Sequence, residues 1–261
     1  FETRLVALDT GFAWVRFGEA FFVAAGAEPV SLGPATYVMA GSTPGQGWTV
    51  RRADDGWDLT RFDGSTGALG ATYHSSAAPQ GAVRRGLVVA SPASFTRGSE
   101  IEIWDPATDR SFAIAIDGRS PMVGAAGGTR VVWFDQTCSS ECRTQVTDTD
   151  TGETRTLPEN AYPFSWSATT PTGNLLYVQL QDPLGESRLA AVDLATMELV
   201  DVPDSNNAEV WVSSAGGVAV FARQGDVFVW MPGWPAPRFL TGGGFGPVAG
   251  PGGFPAAIAV R

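Results

Sequence analysis

Lysine is absent from the sequence, and all 17 basic residues are arginine. Schiff-base chemistry and the lysine of a phosphate-binding loop are therefore excluded. The formal net charge of −10 leaves no positive surplus to bind a phosphate backbone, so nucleic acid is not an expected partner. No apolar run approaches the ~20 residues that a membrane-spanning helix needs. We expect membrane contact only through an anchor upstream of Phe1 or through a partner.

Histidine and cysteine are also scarce. His74 is the single histidine, and Cys138 and Cys142 are the two cysteines. A metal held by thiolates or imidazoles needs more such groups. No nucleophile or triad motif lies near His74, and we therefore predict no metal, no cofactor and no catalytic residue. Three residues separate the cysteines, where a thioredoxin-type redox pair has two, and a disulfide across a hairpin loop fits better. A disulfide predicts an extracytoplasmic location, namely the periplasm, the cell surface or the secreted medium.

What the sequence does contain is a repeat. Four copies of the pattern D-x-x-T begin at Asp63, Asp105, Asp148 and Asp193, which lie 42, 43 and 45 positions apart. Each copy separates two short alternating or apolar runs, which is typical of a β-hairpin. An Asp carboxylate accepts backbone N–H bonds a residue or two further on. This explains all four copies, and we favour a structural turn over a calcium loop at Asp148.

The repeat predicts the fold. Two weaker hairpins flank the four copies, and two further strand candidates precede each hairpin, with a period near forty residues. This period is typical of four-stranded propeller blades. We predict an all-β, single-domain β-propeller over 1–261, with four-stranded antiparallel blades and seven blades, the last one incomplete. The alternative is six blades with an extra strand pair. The expected repeats are 3–33, 34–75, 76–118, 119–158, 159–205, 206–241 and the partial 242–261.

The glycine-rich segment 240–255 contains seven glycines. A phosphate cradle would need these glycines at a strand-to-helix turn with supporting positive charge. We interpret the segment instead as a flexible connection between blades.

Two runs resemble known blades. Leu189-Ala-Ala-Val-Asp-Leu-Ala-Thr-Met-Glu-Leu-Val and Val146-Thr-Asp-Thr-Asp-Thr-Gly-Glu-Thr-Arg resemble repeats of bacterial extracytoplasmic β-propellers of the TolB-like, YVTN-like and WD40-like groups. The resemblance covers nearly the whole chain as a repeat pattern. It implies the propeller fold, and it implies roles ranging from receptor and sensor domains to complex subunits and enzymes. A fold alone does not choose among these roles.

Aromatic residues are the strongest candidates for binding. Trp104 and Trp230 occupy matching hairpin positions, and we expect them to pack between blades. Trp234 lies in the proline-rich turn 231–237, and we expect it to be the best surface anchor. The full predicted binding set is Tyr162, Trp166, Asn206, Asn207, Glu209, Trp211 and Trp234.

We expect a non-enzymatic function. Catalysis by His74 is not favoured, because nothing near it in the sequence resembles a nucleophile or a triad. The leading hypothesis is an extracytoplasmic protein-binding or scaffold propeller that serves as an ectodomain or accessory subunit of a membrane or envelope complex. The alternative is a carbohydrate-binding or carbohydrate-active hydrolase or lyase, with a glycan as ligand and paired carboxylates in the channel.

Overall fold

The computed structural model describes residues 5–8, 11–43, 45–90, 100–116, 121–135, 143–157, 161–163, 174–181, 186–206, 209–215, 218–242, 244–249 and 255–259. Within these ranges the chain forms strands and turns and no helix. Consequently the described residues hold no helix that could cross a membrane.

The described strands form six four-stranded antiparallel sheets and one two-stranded sheet. In the six larger sheets the strands follow the order of the chain, so each sheet is a meander. Sheets 1 to 3 consist of β1 (Leu5–Ala7), β2 (Gly11–Arg16), β3 (Glu19–Ala24) and β4 (Val30–Pro34); β5 (Tyr37–Ala40), β6 (Gln46–Ala53), β7 (Gly56–Asp63) and β8 (Leu69–Ser75); β9 (Ala78–Val83), β10 (Gly86–Ala90), β11 (Glu100–Asp105) and β12 (Arg110–Ala115). Sheets 4 to 7 consist of β13 (Pro121–Gly127), β14 (Arg130–Asp135), β15 (Thr144–Asp148) and β16 (Thr154–Thr156); β17 (Ala161–Pro163), β18 (Leu175–Gln181), β19 (Ser187–Asp193) and β20 (Leu199–Asp201); β21 (Glu209–Ala215), β22 (Val218–Arg223), β23 (Asp226–Trp230) and β24 (Arg238–Gly242); β25 (Gly244–Ala249) and β26 (Pro255–Ala259).

The sheets close into a ring. Each sheet contacts the next one along the chain, chiefly through its first strand, and β25 of sheet 7 contacts both β21 of sheet 6 and β1 of sheet 1. The all-β propeller predicted from the repeat is thereby confirmed. The number of blades stays a prediction, because sheet 7 can be counted either as an incomplete blade or as an extra strand pair.

Two stretches of the glycine-rich segment 240–255 lie in strands. We expected a flexible connection, but β24 extends to Gly242 and β25 runs from Gly244 to Ala249. β25 pairs with β26 through backbone hydrogen bonds. These bonds require no side chain, so glycines can take part in the sheet.

The core lies between neighbouring sheets. One buried cluster joins sheets 4 and 5 through Val146, Leu176 and Val192. Another joins sheets 5 and 6 through Tyr177 and Trp230. Burial of these apolar faces holds the sheets together, because each sheet alone would leave both faces in water.

The D-x-x-T pattern forms the same turn in all four copies. The Oδ1 of Asp148 accepts hydrogen bonds from the backbone N–H groups of Asp150, at 2.9 Å, and of Thr151, at 3.1 Å. The residue after each Thr has a left-handed φ, which directs the chain back into the fourth strand. These four residues are Gly67 (φ 76°), Asp109 (φ 52°), Gly152 (φ 75°) and Met197 (φ 62°).

The turns define two faces of the ring. Because consecutive strands run in opposite directions, the first-to-second and third-to-fourth connections of a sheet lie at one face. This face carries the turns that begin at Asp63, Asp105, Asp148 and Asp193, and we call it the D-x-x-T face. The second-to-third connections and the links between sheets lie at the opposite face.

The turn at Asp63 is expected to make the stability of the fold depend on pH. Hydrogen bonds to its carboxylate, from the hydroxyl and backbone N–H of Ser65 and then from Thr66, lower the pKa of Asp63 from 3.8 to about 2. Since the folded pKa lies below the unfolded one, the stabilisation is complete above pH 3.8 and is lost as pH falls towards about 2.

Replacing Ser65 with alanine is expected to raise the pKa of Asp63 towards 3.8, because the Ser65 hydroxyl is the largest cause of the shift. A carboxyl-carbon NMR titration of the wild type and of Ser65→Ala measures this. Ser111→Ala, in a different sheet, is the control and should leave the titration unchanged. An unaltered Asp63 midpoint in Ser65→Ala would contradict the prediction.

Candidate protein-binding surface

The outermost strand of sheet 6 exposes all its residues. Every residue of β24 is exposed, and Phe239 and Leu240 are 60% and 39% accessible to solvent. Among the described strands β24 pairs with β23 alone, so its other backbone edge is open. An open edge with large apolar side chains is a template for pairing with another chain.

A bulge shapes this edge. Phe239 pairs with Phe228 and Thr241 pairs with the adjacent Val227, which leaves Leu240 as an extra residue in β24. A bulge of this kind bends the strand and re-aims a side chain. The irregularity therefore lies at the two exposed apolar residues.

An aromatic ladder connects Phe239 with the core. Phe221 is fully buried and stacks on Phe228, with ring centroids 5.8 Å apart. Phe228 in turn meets Phe239 edge to face at 6.0 Å. The three rings lie on three successive strands, and the exposed ring of Phe239 packs against Phe228 along one side.

Trp234 lies beside β24 in the turn between β23 and β24. Its carbonyl accepts a hydrogen bond from Trp230 Nε1 at 3.1 Å, and the Arg238 guanidinium lies 4.1 Å from its ring centroid. Trp234 also packs against the clusters of sheet 6, and it is half-buried. We expected few neighbours around this residue, and the structure places Trp230 of β23 and Arg238 of β24 against it.

We define the β24 surface as Trp234, Arg238, Phe239 and Leu240. Tryptophan and arginine are enriched among the residues that dominate binding energy at protein interfaces. Side chains that are already fixed lose less conformational entropy when a partner docks. The β24 surface therefore has the residue types that are enriched at protein interfaces.

The structure reaches only part of the predicted binding set. Trp166, Asn207 and the predicted disulfide cysteines Cys138 and Cys142 lie outside the described residues. Tyr162 lies in β17, and Glu209 and Trp211 lie in β21, which are the first strands of sheets 5 and 6. Asn206 is exposed and precedes β21.

The topology separates two members of that set. Asn206 lies in the link between β20 and β21, at the face opposite the D-x-x-T face. Trp234 lies in a third-to-fourth connection, at the D-x-x-T face itself. The two residues therefore belong to different surfaces, and Trp234 is the predicted residue that adjoins β24.

The packing roles predicted for two tryptophans are confirmed. Trp104 and Trp230 are 8% and 1% exposed. Trp104 Nε1 donates a hydrogen bond to Asp109 Oδ1 at 3.0 Å, so the indole N–H has a partner within the same hairpin. Both rings fill space between sheets, as their matching repeat positions indicated.

His74 belongs to a charged cluster on sheet 2. Its Nδ1 lies 3.1 Å from Asp58 Oδ1, and its Nε2 lies 3.4 Å from Asp55 Oδ1. Hydrogen bonds from Arg51, and secondarily from His74, hold the pKa of Asp58 below its usual value. Both ring nitrogens face carboxylates at the surface, and the ion pair of this cluster is Arg51 with Asp58.

Sequence reasoning missed Arg238, Phe239 and Leu240. The repeat had already placed 237–240 in a fourth strand, which lies at the edge of its blade. Two consecutive large apolar residues at such an edge were the available signal, in contrast to the polar Thr154–Thr156 of β16. Within the described part of the chain, no group of three metal-binding side chains is present.

No protein-family model and no curated protein matches the sequence. Solved structures do match. The tricorn protease aligns with a TM-score of 0.56 and 11% identity over 94% of this chain. The β-propeller domain of the Trilobed protease from Pyrococcus furiosus aligns with a TM-score of 0.57 and 11% identity over 94% of this chain and 86% of that domain. PorZ of Porphyromonas gingivalis, a surface component of the type-IX secretion system, aligns with a TM-score of 0.54 and 10% identity over 95% of this chain.

The chain spans 30% of the length of the tricorn protease and 34% of that of PorZ. At these identities the likeness concerns the fold alone. The geometry and the comparisons together establish a β-propeller fold, and they assign no particular family.

Proposed function

We propose that the chain is a protein-binding or scaffold propeller of an extracytoplasmic membrane or envelope complex, and that it binds its partner through the β24 surface. The observation that carries this proposal is the exposed ring of Phe239 on an open strand edge. This ring packs against Phe228, which in turn stacks on the buried Phe221. An enzyme pocket would need convergent polar groups, whereas this surface offers apolar contact and backbone hydrogen bonds.

The partner segment is an extended strand of another protein. The free edge of β24 presents backbone N–H and C=O groups, which such a strand would pair by β-augmentation. An apolar side chain of the strand would contact Phe239 and Leu240, while the Trp234–Arg238 pair would border the docked segment. Backbone pairing supplies affinity, and the side-chain contacts supply specificity.

Two observations support the extracytoplasmic location. The closely spaced Cys138 and Cys142 suit a disulfide, which persists in oxidising compartments. PorZ, one of the similar structures, is a bacterial surface protein of a secretion system. The role of ectodomain or accessory subunit is drawn from these two points together.

The test is affinity capture with the intact protein from detergent-solubilised envelope extract and, separately, from cytosolic extract. The wild type is expected to retain a stoichiometric partner from the envelope alone. Phe239→Arg should reduce capture about tenfold or more, since it places a charge in a hot-spot position. Amides of β24 should exchange hydrogen more slowly in the complex, because a docked strand bonds them.

Leu69→Arg is the matched control. Leu69 lies in the outermost strand of sheet 2 and is 55% exposed, against 60% for Phe239. This variant should capture the partner as well as the wild type. Equal capture by Phe239→Arg, unchanged exchange of β24, or no partner at all would each overturn the proposal. In the last case, a glycan array would test the carbohydrate alternative.

A further inference from the structure

A second site lies on the D-x-x-T face, where sheets 4 and 5 meet. A cleft of about 250 Å³ opens there between the Asp148 turn and the turn that follows β19. It is smaller than the ~300–1,000 Å³ typical of pockets for drug-sized ligands. The cleft therefore suits one residue of a ligand rather than a large molecule.

The floor of the cleft is aliphatic. Val146 and Leu194 belong to the buried cluster between sheets 4 and 5, and Met197 packs against that cluster. No aromatic ring is among its described lining residues, so stacking on a sugar is not the chemistry that this floor supports. An aliphatic side chain placed here would lose its contact with water at little cost in ordering the protein.

One guanidinium at the rim is fixed across the boundary between the sheets. Arg155 donates from Nη1 to the Ala195 carbonyl and from Nε to Glu153 Oε1, both at 2.8 Å. The bond to Glu153 raises the pKa of Arg155 further. Arg155 thus joins the two walls and is already paired with a carboxylate.

The second guanidinium has an uncharged partner. Arg130 donates from Nη1 to the amide oxygen of Asn174. Asp148 lies opposite Arg130 on the neighbouring strand. Its Oδ1 accepts the backbone N–H of Asp150 in the turn, and its Oδ2 accepts a hydrogen bond from the Thr129 hydroxyl at 2.7 Å. A guanidinium has five N–H donors in a fixed fork that matches a carboxylate. The fork of Arg130 can therefore donate to a ligand carboxylate at the mouth of the cleft, beside the Asp148 carboxylate that also lines it.

We propose that this cleft binds a carboxylate carried next to an aliphatic group, with the carboxylate on Arg130 and the aliphatic group on Val146, Leu194 and Met197. An extended peptide presents this chemistry in two ways. Its last residue can be aliphatic with a free terminal carboxylate, or an acidic side chain can adjoin an aliphatic one. The proposal goes beyond the β24 surface, which lies in sheet 6 and for which we propose pairing with an extended strand of a partner.

The test is an NMR titration of the intact, isotope-labelled protein with four small probes. N-acetyl-leucine carries the terminal carboxylate, and N-acetyl-leucinamide is its uncharged counterpart. N-acetyl-Glu-Leu-amide carries the side-chain carboxylate, and N-acetyl-Gln-Leu-amide is its counterpart. At least one acid should shift the amides near residues 146–151 and 194–197 saturably, and bind about tenfold more tightly than its amide.

Two variants locate the interaction. Arg130→Gln should weaken the binding of the preferred acid about tenfold, because the charged hydrogen bonds are lost. Arg110→Gln, an exposed arginine in the outermost strand of sheet 3, should bind the acid as the wild type does. Added salt should weaken binding by the wild type and change binding by Arg130→Gln much less.

The proposal is overturned if both acids bind no better than their amides, if Arg130→Gln binds as tightly as the wild type, or if the shifts lie elsewhere. The comparison of acid with amide uses the wild type alone, so it stands even where Arg130→Gln does not fold. Phe239→Arg should bind the acids normally. The experiments can therefore contradict the proposal for the cleft and the proposal for the β24 surface independently of each other.

Discussion

Replacing Trp133 with alanine is expected to lower the free energy of unfolding by about 3–5 kcal/mol. Trp133 is fully buried between sheets 3 and 4, where it packs with Val83 and Ile103. Its Nε1 donates to Thr147 Oγ1 at 2.9 Å. The change opens a large cavity between two sheets and removes the indole contacts with both. Urea denaturation of the wild type and Trp133→Ala measures the loss.

Two variants separate volume from hydrogen bonding at this site. Trp133→Phe keeps most of the apolar volume and should cost less than Trp133→Ala. Thr147→Val keeps its shape but removes the acceptor of a buried N–H, which costs about 1–3 kcal/mol. If Trp133→Ala cost no more than Thr147→Val, packing of the indole between the sheets would not be the main stabilising contribution.

Replacing Gly86 with alanine is expected to cost about 3 kcal/mol or more, from backbone strain together with overpacking. Gly86 has a φ of +152° and begins β10. A Cβ there would lie 2.4 Å from the backbone carbonyl oxygen of Trp104 in the paired strand β11. A backbone atom in a ladder cannot turn aside as a side chain can. Thermal and urea unfolding of Gly86→Ala measure the effect.

Gly152→Ala is the matched control for backbone strain. Gly152 has a φ of +75°, and a Cβ added to it would meet no atom within 4 Å. Alanine at this position should lower the free energy of unfolding only by the strain of a left-handed φ, about 1–2 kcal/mol. Equal losses for Gly86→Ala and Gly152→Ala would show that the contact with Trp104 relaxes and that the expected overpacking is absent.

The hairpins could be predicted because their cause is local. Each Asp of the repeat accepts a hydrogen bond from the backbone N–H two residues later, as Asp193 does from Ala195. Such a turn depends on few residues and is therefore visible in a short stretch of sequence. The alternating runs beside it set the strands, and four strands per period set the blade.

The binding surface could be predicted only in part. The proline-rich turn pointed to Trp234, but its half-burial comes from Trp230 and Arg238, which approach through the hairpin. The extra residue in β24 that leaves Leu240 unpaired is a property of register between strands. The sequence of residues 238–242 alone does not show which of them will lack a partner on β23.

The cleft between sheets 4 and 5 was beyond sequence reasoning. Arg130 follows the first turn of sheet 4, while Leu194 and Met197 lie in the last turn of sheet 5. Residues more than sixty positions apart meet there because the ring brings successive sheets side by side. Their types alone, an arginine and two aliphatic residues, are ordinary in a protein of this composition.

The sequence by itself determined the class of fold, since hydrophobic period, turn chemistry and repeat length act within a few residues of one another. The absence of lysine also means that none of these 261 residues can form a lysine Schiff base. The tertiary structure alone decided which side chains share a surface. The alternation of strand direction separates Asn206 from Trp234, and the contacts between sheets bring Arg130 to Leu194, because both depend on packing across long separations in the chain.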